Sequence, residues 1–180
     1  MPIVVIGLSH HSAPVTVRER FAFADAIIPQ TLQKMRAAQL ASEGVILSTC
    51  NRVEIYAVTQ DDDARTLAAL RRFLLDCHGV RVSLEGEIYI LKEPESLEHL
   101  FEVACGLDSM VLGETEILGQ LKKAYDLALQ HKQTGNCLNK AFQKAFNVAK
   151  QIRTETNIQR GSVSVGSVAV ELAEKIFNSL

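Results

Sequence analysis

Two short extended segments joined by a polar link set the strongest constraint on how this chain folds. The first is an apolar run at residues 44–48, and the second, at residues 52–59, alternates between apolar and polar side chains. Segments of this kind with only a few polar residues between them are typical of a β-hairpin. Because the link contains Cys50 and leads into Arg52, the hairpin places a thiol and a guanidinium at one edge of the predicted sheet.

The segments on either side of the hairpin predict the rest of the sheet. The β-branched residues at 2–8 and the apolar run at 87–91 each predict a further strand. Helical spacing of apolar residues follows Asp25, which is predicted as an N-cap, and also follows the acidic run at 61–63, which suits a helix start. The order β-α-β-β-α-β predicts a four-stranded antiparallel sheet with both helices on one face. The predicted fold is therefore α+β, with a ferredoxin-like domain over residues 1–92.

The remainder of the chain predicts helices only. Apolar residues at helical spacing begin near Pro94, near Glu114 and near Leu138. We therefore expect a helical subdomain at residues 93–160. A last helical pattern lies in residues 161–180, and its apolar face has no evident partner in the chain.

Composition gives no cue for nucleic-acid, membrane or metal binding. The 180 residues have a formal net charge of −2, which provides no general attraction to nucleic acid. No apolar run approaches the ~20 residues of a membrane span, and the start of the chain does not resemble a signal peptide, so a cytoplasmic location is predicted. The cysteines are widely separated, which argues against a disulfide framework or a zinc site. They are Cys50, Cys77, Cys105 and Cys137.

Cys50 is the candidate nucleophile. A lone cysteine is most often a small apolar core residue, but Cys50 lies among polar residues, and Arg52 would favour its thiolate. Lowering a thiol pKa of about 8.5 by about 1.5 units requires only about 2 kcal/mol of preferential thiolate stabilisation. Two other interpretations remain open: a thiol hydrolase that uses Cys50 with His99, and a regulatory module in which Cys50 is inert.

Blocks of sequence spread along the whole chain are similar to the glutamyl-tRNA reductase family. They read GLSH at residues 7–10, STCNRVEIY at 48–56, GLDSMVLGE at 106–114, FQKAF at 142–146 and RTET at 153–156. In this order and spacing the chain resembles the amino-terminal, catalytic portion of that family's enzyme. The fold that the resemblance implies for this portion agrees with the ferredoxin-like pattern.

The resemblance implies an NADPH-dependent oxidoreductase of tetrapyrrole (heme) biosynthesis, which converts glutamyl-tRNA(Glu) to glutamate-1-semialdehyde. It implies that Cys50 attacks the ester carbonyl and forms a glutamyl thioester, which hydride from NADPH then reduces. It also matches His99 to a histidine that matters for activity. The substrate pocket that the family pattern implies consists of Thr49, Asn51, Arg52, Ser109, Glu114, Thr115, Glu116 and Gln120.

The charges of a glutamyl group suggest how two of these residues would act. Its γ-carboxylate needs a cation, for which Arg52 is the candidate, and its ammonium needs a carboxylate, for which Glu114 is the candidate. One departure from the family pattern lies beside them, since many members have Pro-Gln where this chain has Thr115-Glu116. The added carboxylate would either strengthen ammonium binding or disturb the γ-carboxylate site.

The expected cofactor and partners lie partly outside this sequence. No G-x-G-x-x-G motif follows a predicted strand, so no residue of the chain is assigned to NADPH. The resemblance implies that residues 1–160 are the catalytic domain and that residues 161–180 lead into an absent NADPH-binding domain and then a dimerisation domain. This chain would then carry the acyl-transfer half only.

The resemblance implies three partners: glutamyl-tRNA, glutamate-1-semialdehyde aminomutase and, in the full-length enzyme, a second copy of the chain. A cluster of basic residues supplies candidate contacts to the tRNA, although a solvated helix face would explain the cluster equally well. The cluster consists of Lys140, Lys144, Lys150, Arg153 and Arg160.

Overall fold

The centre of the molecule is a four-stranded antiparallel sheet. The computed structural model describes residues 1–82, 84–158 and 165–177. The strands are β1 (Ile3–Ser9), β2 (Glu43–Ser48), β3 (Arg52–Val58) and β4 (Tyr89–Leu91). They lie side by side in the order β2-β3-β1-β4, and every neighbouring pair is antiparallel. This order is that of the predicted split βαβ sheet, and the α+β prediction is confirmed; the predicted fourth strand is shorter than expected.

Seven α-helices accompany the sheet in the described part of the chain. They are α1 (Val15–Arg18), α2 (Ile28–Ala37), α3 (Ala64–Cys77), α4 (Glu95–Cys105), α5 (Glu116–Gln130), α6 (Asn136–Glu155) and α7 (Val165–Phe177). A short 3₁₀ helix, Glu19–Phe21, directly follows α1. The sequence pattern did not predict α1 or the 3₁₀ helix, because each is too short to show helical periodicity. No helix among the described residues is both long enough and apolar enough to cross a membrane.

The two acidic helix starts that the sequence suggested have different outcomes. Asp63 caps α3, since its carboxylate accepts a hydrogen bond from the Thr66 backbone N–H over 2.7 Å. Asp25 is not an N-cap, and that prediction was wrong. The helix α2 begins three residues later, at Ile28, where Pro29 in the first turn favours a helix start.

Both faces of the sheet are covered by helices. On one face Tyr56 of β3 contacts Phe142 of α6, with ring centroids 5.4 Å apart. On the other face Gly44 of β2 lies so close to α2 that an added Cβ would stand 2.5 Å from the Met35 side chain and 2.9 Å from that of Leu32. Strands covered on both faces bury apolar residues continuously rather than alternately. Every residue of β1 and of β3 is accordingly buried.

One row of residues across the sheet contains a polar side chain that needs space. In this row Leu47, Glu54, Gly7 and Tyr89 are paired from strand to strand. A Cβ on Gly7 would lie 2.9 Å from the Glu54 side chain and 2.3 Å from the backbone oxygen of Val53. Glycine at this position therefore gives the Glu54 side chain room to lie over β1 and reach Tyr89 on the far side.

The close approach at Gly7 generates a testable prediction. Replacing Gly7 by Ala should destabilise the fold by about 2 kcal/mol, because the new methyl group overlaps backbone that the sheet holds in place. The measurement is the free energy of unfolding from urea denaturation. Gly119→Ala is the matched control, since nothing lies within 4 Å of an added Cβ there and alanine favours the helix α5. Equal stability of Gly7→Ala and the wild type would contradict the tight fit.

Candidate active site

The link between β2 and β3 is a tight turn closed by Thr49. The backbone N–H of Thr49 donates to the Arg52 carbonyl oxygen over 2.8 Å. Its hydroxyl oxygen accepts hydrogen bonds from the backbone N–H groups of Asn51 and Arg52, both over 3.1 Å. A threonine that satisfies neighbouring backbone groups in this way stabilises a turn. Cys50 is held at the tip of this turn and is exposed.

The segment after β1 supports this turn from outside. Arg18 of α1 donates from Nε to the Cys50 carbonyl oxygen over 3.2 Å and from Nη1 to the Ala13 carbonyl oxygen over 2.6 Å. The backbone N–H of His10 donates to the Asn51 carbonyl oxygen over 2.8 Å. The bonds to Cys50 and Asn51 end on main-chain carbonyl groups, so they hold the turn without engaging the thiol. The bond to Ala13 fixes the Arg18 side chain to its own segment.

Arg52 lies beneath the turn, with only 1% of its surface exposed. Its Nη1 donates to Glu54 and to Asp108 Oδ2, each over 2.8 Å, and its Nη2 donates to the Asp108 carbonyl oxygen. Burial opposes the charged form, but the two carboxylates outweigh it and raise the pKa of Arg52 above its usual value. The sequence left open whether Arg52 faces the thiol or the substrate, and it did not anticipate that two carboxylates hold the guanidinium.

Glu54 is the second centre of this buried cluster. Besides Arg52, its carboxylate accepts hydrogen bonds from the hydroxyls of Tyr56 and Tyr89, each over 2.6 Å, and lies 2.9 Å from Nε2 of His99. Burial opposes ionisation of Glu54, but the hydrogen bond from His99 and the charge of Arg52 outweigh it and hold the pKa of Glu54 at about 2. Burial and the adjacent carboxylate raise the pKa of both tyrosines. Glu54 is therefore ionised, and the tyrosines are neutral donors.

A cavity of about 390 Å³ opens beside Cys50. The residues that line it are Thr49, Cys50, Asn51, Arg52, Ser109, Met110, Glu114, Glu116, Ile117, Gln120 and Gly166. The structure thus brings together all of the predicted site residues except Thr115 and His99. Thr115 is exposed just before α5, and His99 belongs to the Glu54 cluster. Sequence reasoning missed three lining residues: Met110, Ile117 and Gly166.

The loop of residues 106–115 forms one wall of the cavity and depends on two glycines. Gly106 ends α4 with a φ of 74°, and Gly113 has a φ of 78°. Both values lie in the left-handed region that glycine tolerates best. A Cβ on Gly113 would also lie 2.3 Å from the carbonyl oxygen of Ile158. The backbone of this loop is therefore closely confined at both ends.

Two polar groups in this wall lack partners among the described residues. The hydroxyl of Ser109 is buried and makes no hydrogen bond. The Glu114 side chain belongs to a residue that is only 9% exposed, and its carboxylate accepts no hydrogen bond there, although its backbone carbonyl accepts one from Arg153 Nη2 over 3.2 Å. The buried Ser109 hydroxyl costs free energy while it has no partner, and a ligand that bonds to it would recover that cost. The Glu114 carboxylate is available to a cation or to a hydrogen-bond donor of a ligand.

The two loop histidines do not form a metal site with their neighbours. The rings of His10 and His11 contact each other at a tilt of 39° with their centroids 3.9 Å apart, and Nε2 of His11 lies 3.1 Å from an Asp108 carboxylate oxygen. Burial, with smaller contributions from His11 and Arg52, lowers the pKa of His10, so its ring is neutral at pH 7. Within the described ranges, no group of three or more His, Cys, Asp or Glu side chains could hold a metal ion.

Glu54, Asp108 and Arg18 are functional candidates that sequence reasoning did not single out. One signal for Glu54 was available, because alternate residues of a strand share a face and Arg52, Glu54 and Tyr56 follow one another at that spacing. No comparable signal exists for Asp108, whose partner Arg52 lies 56 residues away in the chain.

Comparison with known proteins supports the resemblance seen in the sequence. A family model described as the glutamyl-tRNA(Glu) reductase N-terminal domain matches residues 6–156. The glutamyl-tRNA reductases of Pelobacter propionicus and Geobacter sulfurreducens are each 50% identical to this chain over its full length. The chain covers 41% and 42% of those two proteins, so it spans about two fifths of the length of the curated relatives that it matches.

A solved structure gives the same result. The structure of glutamyl-tRNA reductase from Methanopyrus kandleri matches 96% of this chain with a TM-score of 0.74 and 37% sequence identity. The match covers 39% of that protein.

The low pKa of Glu54 predicts how acid affects stability. Glu54→Gln should lower the free energy of unfolding at pH 7 by about 3 kcal/mol, because the buried Arg52 loses one of its two counter-charges. The native pKa of about 2 lies below the ordinary value of 4.5, so the unfolded chain binds the proton first. The contribution of the ionised Glu54 to the free energy of unfolding is therefore complete above pH 4.5 and disappears as the pH falls toward 2.

The measurement is urea denaturation of the wild type and of Glu54→Gln at several pH values. The difference in stability between them should shrink by up to about 1.4 kcal/mol per pH unit below pH 4.5. A difference that stays constant between pH 7 and pH 3 would show that Glu54 is not ionised in the way described.

Proposed function

Because this chain belongs to the glutamyl-tRNA reductase family and corresponds to its N-terminal domain, we propose that it carries the acyl-transfer half of glutamyl-tRNA(Glu) reduction. The observation that supports this best is the position of Cys50, exposed at the tip of a fixed turn and at the edge of the cavity. The complete reaction would give glutamate-1-semialdehyde. This reaction would be the first committed step of tetrapyrrole synthesis from glutamate.

In the proposed step, the Cys50 thiolate attacks the carbonyl carbon of the ester that joins glutamate to the terminal ribose of the tRNA. A carbon–sulfur bond forms, the ester carbon–oxygen bond breaks, and the ribose oxygen leaves and takes up a proton. The product is a glutamyl thioester on Cys50. A thioester has less resonance stabilisation than an oxygen ester, so its carbonyl carbon is more reactive toward hydride.

The charged groups that line the cavity match the charges of a glutamyl group. We assign the ammonium group to Glu114, which lines the cavity and whose carboxylate has no partner among the described residues. We assign the γ-carboxylate to Arg52, which has five N–H donors, of which the contacts with Glu54 and Asp108 use only some. Ser109 and Gln120 are further donors in the lining. Asn51 and Thr49 complete the side nearest to Cys50.

Two predicted residues take modified roles in this proposal. His99 is absent from the cavity lining and lies 2.9 Å from Glu54, so we propose that it acts by orienting the Glu54 cluster. Glu116 lines the cavity as a second carboxylate beside Glu114, which favours the version in which it strengthens ammonium binding. The thiol hydrolase alternative gains no support, because it requires His99 to face Cys50.

NADPH would supply the hydride that reduces the thioester. We propose that residues outside this chain bind it, because the relatives are more than twice as long as this chain and no nucleotide-binding motif is present in the sequence. We also propose, from the family alone, a cytoplasmic homodimer that passes its product to glutamate-1-semialdehyde aminomutase. The division into a catalytic domain at residues 1–160 and a leading helix after it remains part of this proposal.

The nucleophile can be tested on the 180-residue chain itself. Incubation with tRNA that carries radioactive glutamate should label the protein, without formation of aldehyde when NADPH is added. Cys50→Ser should abolish the label, because a serine hydroxyl is far less ionised at pH 7 than a cysteine thiol. Cys77→Ser, which alters another exposed cysteine, should label normally. Undiminished labelling of Cys50→Ser would eliminate Cys50 as the nucleophile, and aldehyde formation would eliminate the division of labour.

The tRNA body requires a basic surface, for which the exposed face of α6 is our candidate. Lys140, Lys144 and Lys150 are all exposed on this helix. Arg153 instead donates to the Glu114 carbonyl, so we propose that it supports the cavity loop. Arg160, the last member of the predicted cluster, lies outside the described residues.

Charge reversal tests this surface. Lys144→Glu combined with Lys150→Glu should weaken tRNA binding and reduce the slope of log K against log salt by at least about 1.4, if each lysine neutralises one phosphate. The matched control is Lys34→Glu with Arg36→Glu on α2, which changes the net charge equally. The measurement is a salt titration of binding by filter retention. Identical slopes for the two double variants would remove α6 as the contact surface.

A further inference from the structure

We propose that Asp108 is a positioning residue that locks the loop of residues 106–115 onto Arg52 and so sets the shape of the cavity beside Cys50. Asp108 does not line the cavity, and neither the sequence patterns nor the comparisons assign it a role. The inference rests on the proposed acyl transfer at Cys50, because its effect is measured through that step.

Asp108 makes more long-range polar contacts than any other residue of its loop. Its Oδ2 accepts a hydrogen bond from Arg52 Nη1 over 2.8 Å, and its backbone carbonyl accepts one from Arg52 Nη2. Its other carboxylate oxygen lies 3.1 Å from Nε2 of His11. Asp108 therefore binds a single guanidinium with its side chain and its main chain together. This pair of bonds fixes both the position and the direction of the loop backbone at Asp108.

These contacts join three segments that are remote in sequence. His11 belongs to the loop after β1, Arg52 begins β3, and Asp108 belongs to the loop after α4. The next residues along that last loop are Ser109 and Met110, which both line the cavity. Any displacement of Asp108 would move these two residues relative to Cys50. A shift of about 1 Å in a binding group can cost about a hundredfold in rate.

The two contacts of Asp108 differ in strength. The His11 side chain is 62% exposed, so its pairing with Asp108 is screened by water and contributes little. The Arg52 side chain is 1% exposed and that of Asp108 is 21% exposed, so the contact between them is protected. The bond to Arg52 is therefore the one that positions the loop, and the contact with His11 adds little to it.

Glu54 does not make Asp108 redundant. Glu54 holds Arg52 from within the same strand, two residues away, and so fixes the guanidinium to the sheet. Asp108 is the residue that attaches the loop to the guanidinium so fixed. Loss of Asp108 should leave the sheet, Cys50 and the turn around it in place while the opposite wall of the cavity shifts.

The experiment compares Asp108→Asn and Asp108→Ala with the wild type and with Asp25→Asn. Asn keeps the acceptor oxygen but not the charge, and Asp25 provides a control because its carboxylate pairs with Lys123 on the surface. Three quantities are measured: the rate of Cys50 acylation by glutamyl-tRNA at saturation together with the half-saturating concentration, the rate of Cys50 alkylation by iodoacetamide, and Tm.

We expect saturated acylation to fall about tenfold in Asp108→Asn and about a hundredfold in Asp108→Ala. Alkylation should stay within about twofold of the wild type in both, because iodoacetamide does not use the loop. Asp25→Asn should behave as the wild type throughout. Wild-type acylation by either Asp108 variant would overturn the inference. Tm should fall in both variants, because the buried Arg52 loses one of its two counter-charges. A fall of alkylation in parallel with acylation in Asp108→Asn would also overturn the inference, because it would indicate a general structural role.

A failure of the proposed function gives a different result. If the wild type itself is not acylated by glutamyl-tRNA while its Cys50 is alkylated normally, the acyl-transfer proposal fails, and with it the role assigned to Asp108.

Discussion

A buried guanidinium between two carboxylates is the interaction on which this site depends. Arg52 is almost fully buried and is bound by Glu54 from its own strand and by Asp108 from the loop after α4. A buried cation is costly unless it is paired and hydrogen-bonded, and this pairing satisfies both needs. It also connects the sheet to the helical part of the chain. The position of one charge therefore determines how the two walls of the cavity face each other.

The surrounding sequence fits this requirement. Gly7 leaves space for the Glu54 side chain over β1, and Tyr56, Tyr89 and His99 supply the remaining bonds to its carboxylate. The nucleophile candidate is kept separate from this cluster. Cys50 lies on an exposed turn whose backbone is held by Thr49 and by Arg18. A rigid cluster of charged side chains with an accessible thiol at its edge is a suitable arrangement for covalent capture of an acyl group.

Much of the fold could be predicted from the sequence, because its signals are local. Alternation and the polar link predicted the hairpin, and the order of strand and helix patterns predicted the arrangement β2-β3-β1-β4. Local signals also have limits. Asp25 resembled an N-cap, but Pro29 determines where α2 begins, and the seven residues of α1 and the 3₁₀ helix were too few to show a period.

The cavity lining was mostly predicted, and the cluster beneath it was not. The predicted lining residues were named from the family pattern, which did not single out Glu54 or Asp108. The partners within the cluster lie 45 residues apart for Glu54–His99 and 56 residues apart for Arg52–Asp108. Periodicity reports which face of a strand is buried, but it does not report which distant side chain meets that face. Arg52 was accordingly identified as a site residue while the two carboxylates that hold it were overlooked.

The most direct test of this account is the hydrogen exchange of arginine side chains, observed by nitrogen-15 NMR at pH 7. The Nη protons of Arg52 should appear as separate, slowly exchanging signals, because both Nη groups are held in hydrogen bonds away from water. Those of Arg72, whose side chain is 76% exposed, should exchange rapidly. An Arg52 side chain that exchanges as fast as Arg72 would contradict the buried cluster and the cavity that is built on it.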